Sequence, residues 1–236
     1  MSVLVILSNA LAFYKIVWRT EQYRLIIKQI IMKLKVCGLK HSNNINDIQN
    51  LNVDFMGFIF YDKSSRSVEL TRNVIKAIYD LKTKKIGVFV NENLNEIIRL
   101  KVMLRLDYIQ LHGNESVEFC KDLQVFSKII KVFKVDDDFD FSICEPFGFT
   151  DYFLFETKGK LAGGNGVKFN WQILNRYDMN IPFFLSGGIG VNEIKDLKKI
   201  MHPQLAVVDV NSRFEIEAGL KNIELLKQFK DELPSR

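Results

Sequence analysis

The 236-residue sequence has few of the features that mark secreted, membrane-spanning or nucleic-acid-binding proteins. Its three cysteines are far apart and lack zinc-site or thioredoxin spacing, which indicates a reducing, cytoplasmic location without a disulfide framework. No apolar run reaches the ~20 residues that cross a bilayer, so no membrane partner is expected. The net charge is +5, but Lys and Arg do not cluster on one element, so no nucleic-acid partner is expected either.

Residues 1–31 differ in texture from the rest of the chain. An apolar run at residues 3–7 is followed by a mixed apolar and basic stretch at residues 16–31. That stretch could form an amphipathic helix lying on a membrane or a partner. A wrongly assigned upstream start codon, or an unstructured extension, explains the segment more simply. We therefore predict an extension at residues 1–31 and one domain at residues 32–236.

From Met32 onward, short apolar runs alternate with segments of helical periodicity. These runs are rich in Val, Ile and Phe, as is typical of parallel strands buried on both faces. Eight strands alternating with helices predict an α/β fold of the (β/α)8 TIM-barrel type, with a doubly wound open sheet as the alternative. The predicted strands are residues 33–37, 55–60, 85–90, 107–111, 128–133, 152–155, 183–186 and 205–208.

Several glycine-rich or polar segments follow the late predicted strands. In barrels, phosphate often binds in the loops after strands seven and eight, where glycine N–H groups and a helix N-terminus approach the anion. These loops together predict a phosphate site, although each glycine alone could simply form a tight turn. The candidates are Gly163, Gly164, Gly166, Ser186, Gly187, Gly188, Asn211 and Ser212.

Three further residues lie where strands end, and each has two interpretations. Cys37 is either a buried small residue or, with its pKa lowered by nearby positive charge, a general base. Glu156 is either a solvated acid or a general acid whose pKa is raised by desolvation. Arg66 is either a surface residue or a clamp for a carboxylate. The acidic run at residues 136–140 lacks the glycine and terminal Glu of a calcium loop, so no metal site is predicted.

The motifs as a set resemble the phosphoribosylanthranilate isomerase family of tryptophan biosynthesis. The resemblance extends from Met32 to about Phe229, and the segments occur in the family's order and spacing. The matching segments are residues 35–39, 57–61 with 64–66, 87–91, 110–113, 163–166 with Phe169 and Trp171, 185–188 and 208–212.

The resemblance implies an isomerase that carries out an Amadori rearrangement without a metal or organic cofactor. The phosphosugar substrate would be N-(5-phospho-β-D-ribosyl)anthranilate, and the product 1-(2-carboxyphenylamino)-1-deoxyribulose 5-phosphate. By this resemblance, Cys37 would be the general base and Glu156 would take the general-acid position. Arg66 would bind the anthranilate carboxylate. The glycine loops with Asn211 and Ser212 hold the phosphate. His112 and Asp209 match family positions near the site, and the protein is expected to be a monomer or a homodimer.

One position departs from the family, whose acid is an aspartate where this chain has Glu156. The extra methylene moves the carboxyl by ~1.5 Å on an unchanged backbone, so we expect an active but slower enzyme. The alternatives are a related isomerase of histidine biosynthesis and a non-catalytic or altered-specificity phosphosugar-binding barrel. A protein whose extension binds a membrane or a neighbouring enzyme is the third.

Overall fold

The computed structural model describes residues 32–158 and 169–233. Within them, eight parallel strands pair in chain order and the last pairs with the first, closing a barrel. The predicted TIM barrel is therefore confirmed, and each predicted strand is present with end shifts of one or two residues. The strands are β1 (Lys33–Val36), β2 (Phe55–Phe60), β3 (Lys84–Phe89), β4 (Tyr108–Leu111), β5 (Lys128–Val135), β6 (Tyr152–Thr157), β7 (Phe183–Ser186) and β8 (Leu205–Val210).

The helices that cover the first half of the barrel begin at polar caps. Thr71, Asn93 and Ser116 each accept a hydrogen bond from the N–H three residues later, which satisfies a donor that a helix start leaves free. The described helices are α1 (Ser42–Asn50), α2 (Arg72–Asp80), α3 (Leu94–Leu104), α4 (Val117–Gln124), α5 (Ile194–Leu197) and α6 (Ile223–Glu232).

Between β5 and β8, the described connecting elements are shorter. A 3-10 helix lies at Phe141–Phe147 between β5 and β6, and a second one lies at Trp171–Arg176. After β7, a 3-10 turn, Val191–Glu193, leads into the single turn of α5. The extension at 1–31 and the predicted phosphate-loop residues Gly163, Gly164 and Gly166 lie outside the described residues.

Alternate strand residues fill the barrel interior in layers. Near the amino ends of the strands, four aromatic rings form a closed layer, with centroid distances of 5.8 Å for Phe55–Tyr108 and 6.0 Å for Tyr108–Tyr152. Phe184 closes the ring at 5.1 Å from Tyr152 and 5.4 Å from Phe55. This apolar floor leaves the carboxyl ends of the strands for polar side chains.

A short hairpin after β8 ties the end of the chain to its beginning. Its strands are β9 (Glu215–Glu217) and β10 (Leu220–Lys221), which pair antiparallel. The Asn44 side chain in α1 accepts from the Lys221 N–H at 2.8 Å and donates to its carbonyl at 3.0 Å. Among residues 32–158 and 169–233, no helix combines the length and apolarity needed to cross a membrane.

Candidate active site

A cavity of about 460 Å³ opens at the carboxyl ends of the strands. This is the end of a barrel where loops of variable sequence can converge on a substrate. Every predicted site residue within the described ranges lines it, so the structure brings the whole described set together. These residues are Cys37, Arg66, His112, Glu156, Ser186, Gly187, Gly188, Asp209, Asn211 and Ser212.

Cys37 directly follows β1 and is 5% exposed. Its N–H donates to the Val210 carbonyl of β8 at 2.9 Å, so the closure of the barrel fixes its backbone. Gly57 in β2 provides the space for its side chain. A Cβ at that position would lie 2.7 Å from Cys37 Sγ and 3.0 Å from Lys35 Cε.

The electrostatic surroundings of the thiol differ from the expectation of a lowered pKa. Burial raises the pKa of Cys37, and the negative charge of Asp209 adds to that rise. The ammonium groups of Lys35 and Lys221 oppose it without reversing it. Cys37 is therefore held as a thiol at neutral pH, beside the ammonium groups of Lys35 and Lys221.

Glu156 is the penultimate residue of β6, and its carboxylate contacts His112, which directly follows β4. His112 Nε2 lies 2.8 Å from Glu156 Oε2, and both side chains are mostly buried. Burial would raise the pKa of Glu156. The hydrogen bond and the electrostatic attraction of His112, with the charges of Lys134 and Lys35, outweigh burial and lower that pKa, contrary to the expected rise.

A buried polar layer lies beneath these two groups. Lys35 Nζ is 2.9 Å from Asp209 Oδ2 and 2.6 Å from Gln110 Oε1. Burial opposes the charge of Lys35, but Asp209 and Cys37 raise its pKa overall. The second oxygen of Asp209, Oδ1, is buried and has no hydrogen-bond partner among the described residues. Asp209 also lines the cavity.

Arg66 lies between the end of β2 and the hairpin. Its Nε and Nη2 atoms donate to the two oxygens of Glu215, at 2.9 Å and 2.7 Å. Glu215 also accepts from Lys221 Nζ at 2.6 Å and from the Gly219 N–H at 3.0 Å. One side of the guanidinium is therefore fixed, while the Nη1 edge is free of this pair.

The glycines after β7 have backbone conformations that other residues rarely adopt. Gly187 has a φ of +96° and Gly188 a φ of +68°. A Cβ on Gly187 would lie 2.5 Å from the Thr157 hydroxyl oxygen, so the loop passes close to the end of β6. Asn211 and Ser212 follow β8 on the same cavity wall. Loops after strands seven and eight thus meet here, as predicted.

Four residues of the site were not among the predicted site residues: Lys35, Gln110, Glu215 and Lys221. The sequence does single out Lys35 and Gln110, because each is polar inside an apolar strand. Lys35 lies two residues before Cys37 and Gln110 two residues before His112, so each points to the same side of its strand as that residue. The other two lie in a hairpin that periodicity does not single out.

Comparisons with known proteins agree with this geometry. The model of the family described as N-(5′-phosphoribosyl)anthranilate isomerase matches residues 34–232. A relative of that name from Parabacteroides distasonis is 42% identical over 202 residues, which are 84% of this chain and 91% of the relative. One from Campylobacter jejuni is 37% identical over 207 residues, or 86% of this chain and 99% of the relative.

Solved structures give the same result. Phosphoribosyl anthranilate isomerase from Thermotoga maritima superposes with a TM-score of 0.77 at 26% identity, covering 86% of this chain and 98% of the other. A phosphoribosyl anthranilate isomerase in complex with reduced 1-(o-carboxyphenylamino)-1-deoxyribulose 5-phosphate superposes with a TM-score of 0.74 at 25% identity and the same coverage.

Proposed function

The chain belongs to the N-(5′-phosphoribosyl)anthranilate isomerase family, and we propose that Cys37 and Glu156 are the base and the acid of its reaction. The reaction is the Amadori rearrangement of N-(5-phospho-β-D-ribosyl)anthranilate to 1-(2-carboxyphenylamino)-1-deoxyribulose 5-phosphate in tryptophan biosynthesis. The observation that supports the assignment is that one cavity holds a thiol and a carboxyl group, on β1 and β6, with candidate anion-binding groups around them.

Glu156 opens the sugar ring in this proposal. Its carboxyl group gives a proton to the furanose oxygen, the bond from C1 to that oxygen breaks, and the anthranilate nitrogen becomes a protonated imine. The acid must carry a proton, although the unliganded site lowers its pKa. The substrate brings a carboxylate and a phosphate into the cavity, and like charges favour the protonated form of Glu156.

Cys37 then removes the proton from C2. The positive charge of the imine forms next to C2, which makes this proton more acidic and favours the thiolate over the thiol. The electron pair of the C–H bond moves to the imine and gives an enolamine, which becomes the ketone when C1 gains a proton and the C2 hydroxyl loses one. The thiol first gives its own proton to solvent, and Lys35 and Lys221 lie close enough to stabilise the thiolate that starts this step.

Binding groups lie around the two charged ends of the substrate. The free edge of Arg66 binds the anthranilate carboxylate, because Glu215 already occupies its other side. Backbone N–H groups at Gly187 and Gly188, with Asn211 and Ser212, hold the phosphate. The remaining group, Asp209, contacts the sugar.

Three assignments complete this proposal. The unpartnered oxygen of Asp209 accepts a sugar hydroxyl, and Ser186 lines the same wall. Gly163, Gly164 and Gly166 remain assigned to the phosphate loop from the sequence.

The reaction is carried by residues 32–236, and the protein acts as a monomer or homodimer. The relative from Thermotoga maritima is described as dimeric.

The test uses the full chain and freshly prepared phosphoribosylanthranilate, whose fluorescence is lost on turnover. We expect turnover by the unaltered protein and by Cys120→Ala, since Cys120 is buried in α4 away from the cavity. Cys37→Ala and Glu156→Gln are expected to be at least about 10²-fold slower. Cys37→Ala retaining full kcat would remove the base assignment.

Two further variants test the remaining points. Glu156→Asp shortens the acid to the family's length, and we expect it to be faster than the unaltered protein; an equal or lower rate would show that the longer side chain costs nothing. A chain lacking residues 1–31 is expected to keep the same kcat. A loss of activity in soluble protein would contradict the domain boundary.

A further inference from the structure

A chain of hydrogen bonds crosses the barrel from β8 to β6. Asp209 Oδ2 accepts from Lys35 Nζ at 2.9 Å, and the same ammonium donates to Gln110 Oε1 at 2.6 Å. Gln110 Nε2 lies 3.1 Å from His112 Nδ1, and His112 Nε2 lies 2.8 Å from Glu156 Oε2. Lys35 and Gln110 are almost completely buried, so water does not compete for these contacts.

The direction of every bond in this chain follows from its first member. An ammonium group has donors only, so the Gln110 atom that faces Lys35 must be the amide oxygen. The amide NH₂ group then faces His112 Nδ1, which must accept and cannot carry a proton. The single proton of the imidazole is therefore on Nε2 and points at Glu156.

We propose that Lys35, acting through Gln110, locks His112 in its neutral Nε2–H tautomer, so that the catalytic proton of Glu156 is confined to the oxygen that faces the substrate. Glu156 Oε2 can only accept from His112. A proton on this carboxyl group must then lie on Oε1. Lys35 and Gln110 are thus positioning residues for the acid.

The lock matters because of the ordinary order of proton affinities. A free imidazole binds a proton more tightly than a carboxylate does, so an unlocked histidine beside Glu156 would take its proton and leave it unable to act as an acid. Protonation at Nδ1 would turn two donors toward each other. The charged groups around His112 and Glu156 are Lys35 on β1, Lys134 on β5 and Asp209 on β8. The inference rests on the proposed role of Glu156, but the tautomer itself can be measured without turnover.

The first test is ¹⁵N NMR of the full chain labelled at histidine, at pH 7. The His112 signals, identified by their loss in His112→Asn, are expected to show the Nε2–H tautomer. His202 is an internal reference, since its Nδ1 accepts from the Gln204 N–H and its Nε2 contacts the Tyr177 carbonyl. An imidazolium or an Nδ1–H form of His112 at pH 7 would overturn the proposal, whatever the enzyme's activity.

The second test changes the group that faces His112 Nδ1 from a donor to an acceptor. Gln110→Glu places a carboxylate between Lys35 and His112, which accepts from both, so His112 is expected to become an imidazolium at pH 7. We expect kcat to fall at least about tenfold with little change in KM, because Glu156 loses its proton to the pair. Gln172→Glu adds the same charge at an exposed position and is expected to leave both constants unchanged.

The two measurements separate the possible failures. If His112 becomes charged in Gln110→Glu and kcat stays the same, the hydrogen bonds from Lys35 through Gln110 to His112 do not affect the acid Glu156, and the proposal is wrong. If Gln110→Glu does not fold by circular dichroism, the spectrum of the unaltered chain still decides the tautomer. If the tautomer is as expected but Glu156→Gln is fully active, the assignment of the acid fails and the lock stands as a structural feature.

Discussion

Arg66 and Glu215 form a side-on ion pair, in which the guanidinium Nε and Nη2 atoms meet both carboxylate oxygens. They lie 149 residues apart in the sequence, and the pair is largely buried. Burial would raise the pKa of Glu215, but Arg66 and Lys221 outweigh it and lower that pKa. Glu215 is therefore charged at neutral pH and fixes the plane of the guanidinium before any substrate arrives.

Removing the charge of Glu215 is expected to weaken binding of the substrate carboxylate. In Glu215→Gln, Arg66 loses the partner that orients it, so KM for phosphoribosylanthranilate should rise about tenfold, the equivalent of one charge-assisted hydrogen bond. Phosphoribosylaniline, which lacks the carboxylate, should show a much smaller change. Steady-state kinetics with both compounds measures the difference.

The matched control is Glu217→Gln, because Glu217 lies on the same strand but is exposed. It should alter neither KM. Equal losses with both compounds in Glu215→Gln would contradict an action through Arg66. A melting curve for each variant separates this outcome from loss of folded protein.

Gly57 is expected to be essential for the position of the base. In Gly57→Ala the new Cβ would lie 2.7 Å from Cys37 Sγ, so the thiol must move, and a displacement of about 1 Å can cost about 10²-fold in rate. Gly148→Ala is the control, since its new Cβ meets nothing closer than the Glu145 carbonyl oxygen at 3.2 Å. A folded Gly57→Ala protein with unaltered kcat would show that the site tolerates the shift.

The ionisation of Cys37 gives a pH-dependent prediction. Because burial raises the pKa of this thiol, the thiolate should form only above the ordinary cysteine range. The difference in absorbance at about 240 nm between the unaltered chain and Cys37→Ser should therefore stay near zero at pH 8 and rise above about pH 9. A difference that is complete by pH 8 would mean that Lys35 and Lys221 outweigh burial.

The buried pair of Lys131 and Glu115, which lines the cavity, is expected to contribute to stability. Lys131 Nζ lies 2.8 Å from Glu115 Oε2, and both side chains are at most 5% exposed. Lys131→Met leaves Glu115 charged and unpaired, so the free energy of unfolding should fall by about 3 kcal/mol in urea titrations. Lys199→Met breaks an exposed pair with Asp196 and should change it by less than about 1 kcal/mol.

The sequence predicted the barrel well because parallel strands buried on both faces consist of continuous apolar runs. Cys37 and Glu156 could be predicted to line the cavity because active sites of barrels lie where strands end. The pairing of Arg66 with Glu215 could not be predicted, because it joins segments whose proximity depends on the closed barrel. The pKa directions at Cys37 and Glu156 were missed for the same reason, since the rise at Cys37 comes from burial and Asp209 and the fall at Glu156 mainly from His112.

The bond from Cys37 to Val210 and the contact between Asn44 and Lys221 also bear on how the protein is made. A ribosome delivers Cys37 well before Val210 and Lys221, so until those residues emerge the thiol lacks its burial and one of its two ammonium neighbours. A nascent chain thus exposes an ordinary cysteine to oxidants. Only the finished, closed barrel turns that same residue into a sheltered one.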